Sequence, residues 1–147
     1  MKKVMPPTVL AATLVAMIAV HFTFPLKDLI PSPYNYSGIA LIVFGVVGNI
    51  WADKLFRKHR TTVKPNLKPT SLICTGPYAM CRHPMYLGMT AITAGVALLL
   101  GSLSPMPFAL AFFLIVARCY IPLEERNMAE EFGEGWAAYK KKVRMWL

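Results

Sequence analysis

Two short segments hold most of the side chains able to do chemistry. Arg82-His83-Pro84-Met85-Tyr86 sets a guanidinium, an imidazole and a phenol around a proline, and Glu124-Glu125 supplies adjacent carboxylates. Pro84 suits the first turn of a helix, and the free amides at such a helix start can receive an anionic group. The plainer alternative makes Arg82 and His83 interfacial anchors. The acidic pair can accept hydrogen bonds from an amine or hydroxyl, or take a proton from an amine. It can equally cap a tail helix or pair with Arg82 or Arg126. Arg118 stands inside an apolar run, where a charge is expensive and faces a cavity or partner, or else snorkels to the surface.

Cys74, Cys81 and Cys119 make no even disulfide framework. Cys74, Cys81 and His83 match no common zinc spacing, so these thiols are read as apolar and no metal is expected.

The elements that position these residues are set by where charge is missing. No Lys, Arg, Asp or Glu occurs from Val4 to Leu26, from Leu29 to Ala52, or from His83 to Ala117. Hydrophobic residues make up 56% of the 147 and charged residues 16%, against roughly 25% charged in soluble domains. An ordinary soluble protein is excluded on this balance. A membrane-crossing helix needs roughly 20 mainly apolar residues, which predicts spans over Thr8 to Phe24, Ser37 to Phe56, Met85 to Leu103 and Met106 to Leu123. Pro25, Pro31 and Pro33 mark a loop after the first. Gly101 to Pro107 turn the last two into a tight hairpin. A cleaved leader is the alternative for the first span, but no small-x-small site follows it, and the segment is expected to stay.

The net charge of +9 raises nucleic acid or an anionic membrane as partner. Lys2 and Lys3, the cations from Lys54 to Arg82, and those from Arg126 to Arg144 all fall on one side of the predicted spans; only Lys27 lies opposite. By the positive-inside rule both termini and the long loop are expected on the cytoplasmic side, and a bacterial or archaeal cytoplasmic membrane is the expected location. Cations so placed meet lipid headgroups, and no nucleic-acid motif is visible. Beyond Glu125, Met128, Phe132, Trp136, Tyr139, Val143 and Leu147 form an apolar stripe that predicts an interfacial helix, broken at Gly133 and Gly135, serving as anchor, lid or packing element. The expected fold is thus all-α: one integral membrane domain over residues 1–147, with four transmembrane helices and a C-terminal interfacial helix.

Read together, Gly76-Pro77-Tyr78 through Arg82-His83-Pro84-Met85-Tyr86-Leu87-Gly88, the apolar hairpin, Glu124-Glu125, and Phe132-Gly133-Glu134-Gly135-Trp136 through Tyr139 resemble the isoprenylcysteine carboxyl methyltransferase family. That wider group includes phospholipid N-methyltransferases and bacterial thiol methyltransferases. The likeness covers residues 61–143. It implies an integral membrane methyltransferase that uses S-adenosylmethionine, releases S-adenosylhomocysteine and takes a small lipophilic acceptor from the membrane lipids. The acceptor is a carboxylate of an isoprenylcysteine-like compound, or a lipid amine or thiol. Carried over, the resemblance makes Ser71, Leu72, Ile73, Tyr78, His83, Pro84, Met85, Tyr86, Glu124 and Glu125 the cofactor contacts. Thr70 stands where the carboxyl methyltransferases have a histidine, and Tyr120 where they have an arginine. Arg118, two residues earlier, is the candidate catalytic substitute, although two residues turn a helix by roughly 200°.

Two other classes compete. Sterol reductases that use NADPH share an Arg-His-Pro-x-Tyr element, and a non-catalytic membrane adaptor could retain the motif without turnover. Binding of adenosylmethionine, of NADPH, or of neither separates the three.

Overall fold

The computed structural model describes residues 4–59 and 69–147. Lys2, Lys3, Arg60, Lys64 and Lys68 of the charge pattern lie outside these, as does the start of the 61–143 region. Six α-helices carry the described fold: α1 (Pro6–Thr23), α2 (Ser37–Lys58), α3 (Pro84–Leu100), α4 (Met106–Ile115), α5 (Ile121–Phe132) and α6 (Glu134–Lys142). A π-helical turn, Val116–Tyr120, joins α4 to α5 without a break. Among the described residues there is no strand, only an isolated bridge between Asp28 and Ser102.

Three helical stretches are long and apolar enough to cross a membrane: Pro6–Thr23, Tyr34–Lys58 and Met106–Phe132. Helix α3 is also apolar but has 17 residues. Large apolar side chains such as Val15, Ile18, Phe22, Val43, Phe44, Val47, Leu110 and Leu114 stand exposed on α1, α2 and α4. A face of that extent would be a liability in water and is the ordinary outer surface of a protein in hydrocarbon. The chain is an integral membrane protein built of helices.

Helix α3 lies at the centre, with no exposed residue along its length, and packs against α1, α2 and α4. Its partnership with α2 is backbone against backbone. Gly38 faces Gly95 and Gly45 faces Gly88 so closely that a Cβ on Gly95 would come within 2.6 Å of the Gly38 carbonyl. Seven residues separate the glycines on each helix, so the same face returns at each pair. Small-residue contacts of this kind drive helix association where water supplies no hydrophobic force.

Pro84 begins α3, as its position in the sequence leads one to expect, and Gly101 ends it in the left-handed conformation (φ 74°). The Gly101 carbonyl accepts from the amides of Leu29 and Ile30. Ser104 Oγ donates to Phe24 O (2.7 Å) and accepts from the Leu26 amide, while His21 Nδ1 meets Ser102 Oγ at 2.7 Å. The polar residues of the hairpin turn thus tie it to the loop between α1 and α2.

The sequence places a span end at Leu123 and a separate tail helix beyond it. In the structure one helix continues from Met106 to Phe132. Pro122 has no amide hydrogen and its ring would crowd the carbonyl four residues back; the wider turn relieves this, with the Ile121 amide donating to Val116 O. The break comes at Gly133 (φ 49°), where α6 starts. A second difference concerns the apolar stripe. Trp136, Tyr139 and Val143 are buried against Leu72, Met128 and Phe132, so this part of the stripe covers the protein's own loop and does not face a membrane surface.

Candidate functional site

At the end of the bundle where α1 and α3 begin and α2 ends, the loop before α3 and the tail after α4 close on each other. A short 3-10 turn, Gly76–Ala79, brings Tyr78 inward against Phe56 of α2, the rings 5.4 Å apart and edge to face. Tyr139 of α6 donates its hydroxyl to Tyr78 O at 2.6 Å. Burial pushes both phenols above their usual range, so Tyr139 remains a donor.

Arg82 performs most of the docking. Its amide donates to Arg144 O (2.9 Å), Nη1 reaches Lys140 O and Val143 O (3.2 Å each), and Nη2 pairs with Glu125 Oε1 at 2.9 Å. Lys140 Nζ binds the second oxygen of Glu125 at 2.8 Å. His83, 3% exposed, places Nε2 at 3.3 Å from Glu125 Oε1 and Nδ1 at 3.9 Å from Glu124 Oε2. Tyr86, one turn into α3, hydrogen-bonds the Glu124 side chain. Two buried nitrogens are left without partners: Nε of Arg82 and Nδ1 of His83.

Two spaces meet at this cluster. A cavity of about 180 Å³ is bounded by Met5, Pro6 and Pro7 at the start of α1 and by Phe56, Met85 and Met89, with Tyr78, Arg82, His83, Tyr86 and Glu124 as its polar side. A narrow slot shares Phe56, Tyr78, Arg82, His83 and Glu124 and runs on between Ser71, Leu72 and Ile73 on one side and Met128, Trp136 and Tyr139 on the other. Outside the cavity, an open groove of about 600 Å³ runs along α2 between α1 and α3. Its walls include Leu10, Val46, Ile50 and Ile92, with Asp53, Lys54 and Arg57 toward one end. Met85 and Met89 line both groove and cavity, forming the partition between them.

Of the residues singled out from sequence, Ser71, Leu72, Ile73, Tyr78, His83, Met85, Tyr86 and Glu124 line the cavity or the slot. Pro84 is buried at the helix start and lines neither, and Glu125 sits behind His83 as its carboxylate partner. Arg118 is exposed in the π turn and is not among the lining residues. Sequence reasoning weighed Arg82 between a binding residue and an interfacial anchor and left it out of the cofactor contacts, treated Trp136 and Tyr139 as part of an anchor, lid or packing element, and gave no role to Met5–Pro7, Phe56 or Met89. Only Arg82 carried a usable signal, its place beside His83.

Cys81 is buried, and burial raises its thiol above the usual range; it packs as an apolar group. Among the described residues no three His, Cys, Asp or Glu side chains converge to hold a metal ion.

The phospholipid methyltransferase family model matches residues 34–135, which takes in both motif segments and leaves α1 outside. The chain is 29% identical over 129 residues to a nickel-cobalt-cadmium resistance protein of Alcaligenes xylosoxydans xylosoxydans, covering 83% of this chain and 55% of that protein. It is 34% identical over 86 residues to a protein-S-isoprenylcysteine O-methyltransferase of Schizosaccharomyces pombe, covering 58% and 36%. An uncharacterized protein of Haemophilus influenzae is 33% identical over 63 residues, 43% of this chain and 100% of that one. The chain therefore spans little more than half of the first relative and about a third of the second. No solved structure matches it.

Proposed function

The chain belongs to the phospholipid methyltransferase family, and from that premise we propose that it transfers the methyl group of S-adenosylmethionine to a lipophilic acceptor at the end of the bundle where loop and tail meet. The observation that carries this reading is the convergence of the two motif segments, far apart in sequence, on one cavity and slot through His83 and Glu124.

The residues present fit such a cofactor. Arg82 Nε is a buried donor without a partner, suited to a carboxylate, and Glu124 is an acceptor suited to an ammonium. Trp136, Tyr139 and Tyr78 offer aromatic surface along the slot for a purine. Bound there, the cofactor supplies a methyl group on a sulfonium. Ser71, Leu72 and Ile73 line the slot, Tyr86 holds Glu124 in place, and Glu125 keeps Arg82 and His83 in register. Holding the reactants in line and excluding water are the main demands of this reaction. A cavity of about 180 Å³ is below the roughly 300 Å³ at which small-molecule pockets begin, so side chains that divide cavity from slot must move when the cofactor enters.

The acceptor comes from the apolar side. Its chain lies in the α1–α2 groove and its reacting head passes Met85 and Met89, flexible side chains suited to yielding. Arg118, exposed near the end of the apolar stretch, meets headgroups from the lipid side. In this reading α3 is a short fourth span and both termini are cytoplasmic, with the cavity at the cytoplasmic end. The metal resistance in one relative's name is said of that protein alone.

The test is titration calorimetry of the purified protein with S-adenosylhomocysteine, followed by transfer of labelled methyl from adenosylmethionine into membrane extract. Binding and a labelled lipophilic product are expected. Binding of NADPH alone would move the chain to the reductase class, and binding of neither would make it an adaptor.

A further inference from the structure

The end of the bundle away from the cavity carries apolar side chains that the described residues leave uncovered. We propose that the segment joining α1 to α2, residues 24–36, lies immersed at the boundary of headgroups and acyl chains in the leaflet opposite the cavity, with only its tip, Lys27 and Asp28, reaching water. The partner of this surface is the lipid itself. The inference is independent of the methyl-transfer reading.

Connections between helices ordinarily run through water, and their side chains are suited to it. Those of this segment are not. Phe24, Leu26, Leu29, Tyr34 and Tyr36 are all exposed, Phe24 to 73% and Tyr34 to 72%. Leu103 of the hairpin turn, whose amide donates to Lys27 O, is exposed as well. In water such a patch would invite association.

The backbone meets the condition that immersion imposes. Irregular backbone is tolerated at membrane depth only where its polar groups are satisfied within the protein. Pro25, Pro31 and Pro33 have no amide hydrogen to place. The Phe24 amide donates to Val20 O, those of Leu29 and Ile30 donate to Gly101 O, and that of Leu26 donates to Ser104 Oγ. The carbonyls of Phe24 and Lys27 accept from Ser104 Oγ and from the Leu103 amide. Hydroxyls turn inward too: Thr23 Oγ1 donates to Ala19 O, Ser37 Oγ donates to Tyr34 O, and Ser102 Oγ meets His21. What faces outward is the apolar part of the segment.

Charge selects lipid over a protein partner. Lys27 and Asp28 are the only Lys, Arg, Asp or Glu residues between Val4 and Ala52. They are adjacent and opposite in sign, so the patch offers no net charge for an acidic or basic partner to read. Tyr34 and Tyr36 have the ring and hydroxyl that suit the headgroup level.

The depth follows from α3. With α3 crossing as proposed above, its 17 residues rise about 25 Å at 1.5 Å per residue, about 5 Å short of the roughly 30 Å hydrocarbon core. Gly101, which ends α3, is the acceptor for the Leu29 and Ile30 amides, so the segment is held at the level where α3 stops. A polar connection there would force the bilayer to thin. The exposed Phe24, Leu26, Leu29 and Leu103 instead carry the apolar surface on to the edge of the core.

Spin labelling of the full chain in dioleoyl phosphatidylcholine vesicles tests this. Cys74→Ser and Cys119→Ser remove the two exposed thiols and leave the buried Cys81. In that background labels are attached singly through Phe24→Cys, Asp28→Cys, Leu29→Cys and Tyr34→Cys, at side chains that are all exposed and so are not needed for packing. Collisions with oxygen, which partitions into lipid, are compared with collisions with a nickel chelate, which stays in water. The labels at positions 24, 29 and 34 are expected to favour oxygen several-fold and the label at 28 to favour the chelate. Chelate preference at 24, 29 and 34 would put the segment in water and overturn the proposal. Poor access of both reagents at those three positions would mean that protein covers the patch, and overturns it equally. Oxygen preference at 28 as well would place the tip in the hydrocarbon and refute the boundary position.

Discussion

The hydroxyl of Tyr120 donates a 2.7 Å hydrogen bond to the carbonyl of Val4, tying the π turn of the last long helix to the start of the first. The next three residues, Met5, Pro6 and Pro7, form one wall of the cavity, and the whole of α1 lies outside the family match. Tyr120 also stands 6.4 Å from the ring of Tyr86, so it links that wall to the residue that holds Glu124. Where the resembling carboxyl methyltransferases carry an arginine, this chain uses the position to fasten its N-terminal segment.

Tyr120→Phe keeps the ring contact and removes the hydroxyl. The bond is exposed, so the loss of stability is expected near the lower end of about 0.5–1.5 kcal/mol. The clearer effect is on the wall: Val4 to Pro7 should gain susceptibility to protease in detergent, while S-adenosylhomocysteine affinity holds. Unchanged cleavage at the N-terminus would show that packing alone keeps the wall in place.

Arg82 is the residue whose loss should be felt most. It anchors three backbone carbonyls of the tail and one oxygen of Glu125 from a buried position. Removing one partner of a buried ion pair costs about 3–5 kcal/mol. Arg82→Lys keeps a charge but loses the fork that serves Glu125 and two carbonyls together. Hydrogen exchange across residues 134–147 should accelerate strongly in this variant and in Arg82→Ala, and cofactor affinity should fall with it. Native exchange in Arg82→Ala would mean that Trp136, Tyr139 and Val143 dock the tail by themselves.

The contrast between Arg82 and Pro84 shows what the sequence carries. Pro84 acts locally, through its missing hydrogen and fixed dihedral, so the start of α3 was readable, whereas its end falls at Leu100, short of the Leu103 read from the sequence. Arg82 acts on Lys140, Val143 and Arg144, partners that only the folded chain brings near, and its charge alone reads as topology. The same holds for the stripe of Trp136, Tyr139 and Val143: periodicity reveals an apolar face but not whether lipid or protein covers it. Glu124 and His83 were legible because the resemblance joined their segments. Met5–Pro7 and Phe56 belong to no motif, and nothing short of the fold could place them at the cavity.

The glycine contacts between α2 and α3 give a further prediction. At Gly88 a Cβ would come within 2.5 Å of Asn49 Nδ2 and 2.8 Å of Gly45 O, and the second of these is backbone that cannot swing aside. Gly88→Ala is therefore expected to force the helices apart at a cost of about 1–3 kcal/mol. Gly48, whose added Cβ meets nothing within 4 Å, is the control, and Gly48→Ala should be neutral or stabilising. Thermal unfolding of both variants in one detergent checks the difference; equal midpoints would show that α2 and α3 have room to spare.

The last prediction concerns which side of the membrane holds the site. Met5, the end of α2 at Lys58, His83 at the start of α3, and Glu124 all lie at the cavity end, and the segment that joins Lys58 to Arg82 carries most of the loop's cations. The opposite end holds Lys27 and the knot of Gly101, Ser102 and Ser104. Cations favour the cytoplasmic side, so the cavity is predicted to face the cytoplasm, where a polar cofactor is available, and α3 is predicted to cross despite its 17 residues. A helix of that length spans about 25 Å at 1.5 Å per residue, short of the roughly 30 Å hydrocarbon core, but its burial among α1, α2 and α4 spares it contact with lipid. Reporter fusions after Leu26, Lys68, Ser104 and Leu147 should read outside, inside, outside and inside. A cytoplasmic signal from the Ser104 fusion would mean that α3 and the following helix do not cross as a hairpin, and the cavity between loop and tail would lose its cytoplasmic setting.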